Sequence, residues 1–108
     1  MGAPNVVRGG SHSGNVSAAE LAREGLLDAL SSDYVPASLL TAAFLLVDCC
    51  GFSVSQAINT ISLNPAGAMG LEDRGEIAVG KRADFSRVRL LQRMPTVIAV
   101  WRQGKRVV

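Results

Sequence analysis

The hydrophobic pattern of this chain changes period at Gly70, and that change limits it to folds that join a helical region to a strand region. Before Gly70, apolar residues return mostly at three- and four-residue steps. Beyond it they fall into short runs punctuated by Gly75, Gly80 and Gly104. Length sets the second limit. With 108 residues, 48% of them hydrophobic, a chain buries roughly 60 to 65% of its unfolded surface. That supports one core, and not a barrel plus a second domain.

The first run, Ala3 to Val7, reads as a strand feeding Arg8-Gly9-Gly10-Ser11-His12-Ser13-Gly14-Asn15. Gly9, Gly10 and Gly14 make this stretch a tight loop, since glycine weakens any helix or strand interior. Ser17-Ala18-Ala19-Glu20 has the spacing of a capping box and opens a helix that Gly25 stops. Leu26 to Leu30 is too short for another helix and reads as a buried strand ending at Ser31-Ser32-Asp33. Pro36 suits the first turn of a helix that runs to Gly51, with Leu39, Leu40, Ala43, Phe44 and Val47 on its apolar face. Ser53 caps a further helix to about Ser62, and Asn64-Pro65 opens a short one closed by Gly70. Val88 and Leu90, then Val97 to Trp101, predict strands, and Gln103-Gly104-Lys105 predicts a hairpin turn. The leading strand, loop, helix and strand form a βαβ unit, whose ligand-binding loops lie at the carboxyl ends of its strands.

Charge divides along the same boundary. Residues 1–62 carry two arginines against five acids, and residues 63–108 carry nine Lys and Arg against four acids, giving −3 and +5. The basic residues are scattered and few aromatics are present to stack on bases, so nucleic acid is not expected as a partner. No apolar run approaches the roughly 18 residues of a membrane span, so no membrane partner is expected either. Cys49 and Cys50 are adjacent and cannot staple distant segments, which suits a reduced, cytoplasmic protein. They read as packing at a helix end. His12 is the single histidine.

Two features fall at carboxyl ends of predicted parallel strands. The loop Gly9 to Asn15 precedes a capped helix, where converging N–H groups and the helix dipole suit a phosphate or carboxylate. It lacks the spacing of a P-loop or dinucleotide fingerprint, and by local sequence a plain tight turn is the simpler reading. Asp33 follows a buried run, and a carboxylate there needs a hydrogen bond, a partner or a cation. The alternative is a turn or N-cap aspartate ahead of Pro36. His12 reads either as a ligand or as a solvated loop side chain.

Asn64-Pro65-Ala66, Gly70-Leu71, Asp73-Arg74-Gly75-Glu76-Ile77, Gly80-Lys81-Arg82-Ala83-Asp84 and Val100-Trp101-Arg102-Gln103-Gly104 together resemble the carboxyl-terminal signature of the amidohydrolase superfamily. The runs Arg8 to Asn15 and Leu30 to Leu40 resemble the phosphonate-catabolism diphosphatases of that superfamily. The resemblance implies an α/β fold, the C-terminal part of a metal-dependent (β/α)8 barrel followed by strands of a small β-sandwich. Residues 1–70 would hold the last two βα units and following helices, and residues 71–108 the sandwich strands.

The same resemblance implies hydrolysis of a phosphoanhydride in a phosphorylated ribosyl phosphonate, releasing pyrophosphate. Asp33 would bind a divalent metal ion, zinc or similar, and take the proton of the attacking water. Gly10, Ser11, His12, Ser13 and Asn15 would contact the anionic substrate. The superfamily draws its other metal ligands from histidines on earlier strands, which a chain with one histidine cannot supply. A carboxyl-terminal portion, inactive alone, is therefore expected. A dihydroorotase-like or deacetylase-like hydrolase, or a non-catalytic remnant, is the competing reading. Apolar faces such as Leu39, Phe44 and Val47 are expected to be exposed and to drive self-association or docking on the missing barrel portion. Phe85-Ser86 is expected to bury a hydroxyl at a strand position, at about 1 to 3 kcal/mol if unpaired.

Overall fold

A computed structural model describes residues 2–3, 22–25, 27–32, 38–92 and 94–108. Their order is α1 (Ser38–Cys50), α2 (Val54–Asn59), α3 (Leu63–Ala68), β1 (Phe85–Leu91), β2 (Met94–Arg102) and β3 (Lys105–Arg106). This is a mixed arrangement, helices followed by an antiparallel sheet of order β1-β2-β3.

The core gathers around α1. Ser38, Ala42, Ala43 and Leu46 are buried and follow one helical stripe. The small side chains of Ala42 and Ala43, both fully buried, let neighbouring segments approach closely. Ala3, Ala22, Leu27, Leu30, Phe52 and Ala57 complete the cluster, with Leu39, Leu45 and Val47 packed against it. The stripe is rotated from the expected one. Leu39, Phe44 and Val47 are half-buried rather than exposed, because α1 packs on both α2 and β2 and so uses a wider face than a helix on one neighbour.

Two short helices follow, each shaped by its cap. Ser53 accepts a hydrogen bond on its side chain from the Gln56 N–H at 3.1 Å, the contact expected of an N-cap serine. The helix α2 stops at Asn59 rather than Ser62. From Thr60 the N–H groups of Thr60, Ile61 and Ser62 reach back only three residues, which tightens the chain out of the α-helix. Thr60 is buried, and its hydroxyl donates to the Ala57 carbonyl at 2.6 Å. Pro65 lies in the first turn of α3, and Gly70 and Leu71 donate to Gly67 and Ala66 to close it, as the sequence predicts.

The run before Asp33 departs from expectation. Residues 27–30 belong to no ladder, and the only strand-like contact in this part of the described chain is a parallel bridge between Gly2 and Ser31. The Leu30 N–H donates instead to the Thr60 carbonyl at 2.9 Å, so the segment spends its donor on the helical region. Leu27 and Leu30 are buried as anticipated. Arg23, Glu24 and Gly25 end a helix as predicted, with Gly25 donating to Ala22. Ala3, expected to open the first strand, is helical instead, and the rest of that strand and most of the helix after it lie outside the described residues.

Between α3 and the sheet, the chain folds against α3 at Gly75. Its φ is 103°, and a Cβ there would come within 3.0 Å of both Ala66 Cβ and Leu63 Cα. Only glycine combines that conformation with that approach. The sheet then forms by two tight turns. Leu91 opposes Met94, and Trp101 opposes Arg106. Gln103 and Gly104 both take positive φ, 51° and 80°, the requirement of a type I′ turn between short strands. Ile98 is the extra residue of a bulge, since Arg87 pairs with Ala99 and Val88 with Val97. Ser86 is exposed rather than buried, so the expected cost of its hydroxyl does not arise.

Candidate functional site

Asp33, Gly10, Ser11, His12, Ser13 and Asn15 all lie outside the described residues. What the structure gives is the backbone leading toward them. Ala3 donates its N–H to the Ser31 carbonyl at 2.6 Å, and Gly2 and Ser31 meet in an isolated parallel bridge. Leu30, one residue before that bridge, is anchored in the core and bonded to Thr60. Asn64 adds a second tie, donating from Nδ2 to the Asp28 carbonyl at 2.6 Å. The approach to Asp33 is thus held by α2, α3 and the loop between them.

The residues of the carboxyl-terminal signature are described, and their geometry is structural. The Arg74 guanidinium donates to the Asp73 carboxylate at 2.9 Å. That hydrogen bond comes first among the causes holding the Asp73 carboxyl below its usual range, and it also holds Arg74 in its charged form. Lys81 Nζ pairs with Glu76 at 2.9 Å. Arg82 Nε lies 3.1 Å from Asp84 Oδ2, an electrostatic pairing without an aligned hydrogen bond. Asp84 Oδ1 accepts from the Gln103 N–H at 2.8 Å, and the Ala83 carbonyl accepts from Gly104 at 2.9 Å. Gly80 to Asp84 therefore holds the β2–β3 turn against the start of β1.

Two features here escaped the sequence reading. A groove of about 470 Å³ opens between α2 and the strand approach, with Val54, Ile58, Glu76, Ile77, Phe85 and Ser86 among its walls. Beside it, Phe85, Trp101 and Arg106 form one row across the sheet. The Phe85 and Trp101 rings stack at 4.8 Å, and the Arg106 guanidinium lies 5.9 Å from the Trp101 ring centre. The turn at Gln103-Gly104 carried the signal for half of this row, because a two-residue turn after Arg102 sets Trp101 opposite Arg106.

Among the described residues no group of three or more His, Cys, Asp or Glu side chains converges. Nor is any described helix long and apolar enough to cross a membrane.

Comparison with known proteins gives the family. The amidohydrolase family model matches residues 7–108. The chain is 57% identical over 109 residues to the alpha-D-ribose 1-methylphosphonate 5-triphosphate diphosphatase of Escherichia coli strain K12, an alignment covering 99% of this chain and 29% of that protein. It is 35% identical over 85 residues to a dihydroorotase of Methanopyrus kandleri, covering 63% of this chain and 20% of the relative. A third relative, an imidazolonepropionase of Deinococcus deserti, is 46% identical over 41 residues, 38% of this chain and 10% of its own length. No solved structure matches. The chain spans under a third of the length of each of these curated relatives. With the family model covering nearly all of it, the chain belongs to the amidohydrolase family.

Proposed function

We propose that this chain is the carboxyl-terminal portion of a metal-dependent hydrolase of phosphonate catabolism, which cleaves alpha-D-ribose 1-methylphosphonate 5-triphosphate to the 5-phosphate and diphosphate. The observation that carries this reading is 57% identity across 99% of the chain to a diphosphatase of that name. In this reading residues 1–70 are the last two βα units of a barrel with the helices that follow, and residues 71–108 are strands of a sandwich.

Asp33 is then the carboxylate at the mouth of the barrel, and Gly10, Ser11, His12, Ser13 and Asn15 belong to the loop that meets the substrate's phosphates. The chain's own donors do not fit a self-sufficient metal site, having one histidine and no converging cluster among the described residues. A hard or borderline divalent ion needs several preorganised ligands. The isolated chain therefore binds no divalent ion stoichiometrically and hydrolyses nothing. Its exposed apolar residues, Ile77 and Val79 above all, dock on the remainder of the barrel protein or drive self-association.

The test is reconstitution. The chain is expressed with the upstream portion of the protein, and pyrophosphate release from the ribosyl triphosphate is assayed alongside hydrolysis of dihydroorotate. Pyrophosphate release that vanishes in Asp33→Asn, with assembly intact by size-exclusion chromatography, is the expected result. Dihydroorotate hydrolysis instead would favour the dihydroorotase-like reading, to which the 35% identity points. An assembled protein active on neither overturns the enzymatic assignment.

A further inference from the structure

We propose that Cys49 and Cys50 form a two-sulfur chelating site for trivalent arsenic at the carboxyl end of α1. The two Sγ atoms already face each other at 2.8 Å, although neighbouring helical side chains ordinarily diverge. Cys49 is exposed and Cys50 half-buried, so the pair is open to solvent on one side.

The backbone decides between bridging the sulfurs directly and bridging them through a third atom. Adjacent Cα atoms are about 3.8 Å apart across a trans peptide. That is below the roughly 4.4 Å at which disulfide geometry begins, so a direct S–S bond would distort the end of the helix. An inserted atom removes that demand. Soft thiolate and thiol sulfur selects soft centres. A two-coordinate linear ion holds its sulfurs on opposite sides, whereas pyramidal trivalent arsenic holds both on the same side, as this pair presents them.

Burial pushes the Cys50 thiol up to about 11, so near neutral pH that sulfur carries its proton. The fitting reaction is therefore a condensation. With an organoarsenic(III) oxide, two As–S bonds form and two S–H bonds break, and the oxide oxygen leaves as water with both protons. No electrons are transferred.

The test uses the full chain with phenylarsine oxide as the probe, read by intact mass and by free-thiol titration. One phenylarsenic group per chain, with both thiols lost and the far-ultraviolet helical signal kept, is expected. A vicinal dithiol such as dimercaptopropanol reverses it, and excess monothiol does not. Cys49→Ser and Cys50→Ser each lose the adduct. An unmodified mass with both thiols still titrating overturns the proposal in the unaltered chain, whatever the variants do. So does retention of the adduct in either serine variant, or loss of the helical signal on binding.

Discussion

The two sides of Gly70 are held together by different forces. On the helical side, nine buried residues from Ala3 to Ala57 form one cluster among the described residues. On the sheet side, Ala99 alone among the described hydrophobic residues is buried, and Ile77, Val79, Leu90, Leu91, Met94, Val97 and Val107 are exposed. The sheet is organised locally, by two tight turns, a stacked aromatic pair and three ion pairs. Surface ion pairs contribute little, about 0 to 1 kcal/mol each, so those pairs set geometry more than stability. The difference teaches that a segment can carry a complete hydrogen-bonded topology while leaving its apolar surface unsatisfied.

The sharpest way to break this comparison is to remove the centre of the helical side. Leu46 is fully buried, and Leu46→Ala should cost about 2 to 5 kcal/mol in urea unfolding followed by circular dichroism. A cost no larger than that of an exposed-leucine control such as Leu90→Ala would mean the cluster is not the source of stability. Next comes the joint between the regions. Gly75→Ala must accept a φ of 103° and contacts at 3.0 Å with Leu63 Cα and Ala66 Cβ. About 1 to 3 kcal/mol is expected, with the emission of Trp101, the only tryptophan, shifting before the helical signal falls.

Smaller effects sharpen the sheet side. Trp101→Leu and Phe85→Leu in a double-mutant cycle should show a coupling of about 0.5 to 1.5 kcal/mol. Independent effects would deny the stacked pair a role. The last expected effect belongs to pH. Burial raises the Cys50 thiol from 9.0 to about 11, so the folded chain keeps a proton that the unfolded chain releases earlier. The associated stability is complete below pH 9 and is lost as pH rises toward 11. Denaturation midpoints across that window, compared with those of Cys50→Ala, measure it.

Much of the fold was legible because its signals are local. Ser53 and Gly70 act through hydrogen bonds a few residues away, and Gln103-Gly104 sets its hairpin through backbone conformation alone. The approach to Asp33 was not legible in the same way. An apolar run bounded by turn residues looks like a strand, but whether it joins a ladder depends on which carbonyl its donors find, and Leu30 finds Thr60, thirty residues away. The stripe on α1 was misread for a related reason. Periodicity gives the apolar side of a helix, while the width of the buried face depends on how many neighbours pack there.

For the candidate site, the loop 9–15 and Asp33 stood out through glycine content and a carboxylate after a buried run, signals that hold without coordinates. The row of Phe85, Trp101 and Arg106 was hidden, because two of its members are separated by sixteen positions and meet only through strand register. By itself the sequence determined where helices end, where turns fall and which family the chain resembles, since each is written in short-range chemistry or in a run of residues. Only the tertiary structure decided which apolar side chains are covered and which remain exposed, because burial depends on surfaces brought together from distant parts of the chain.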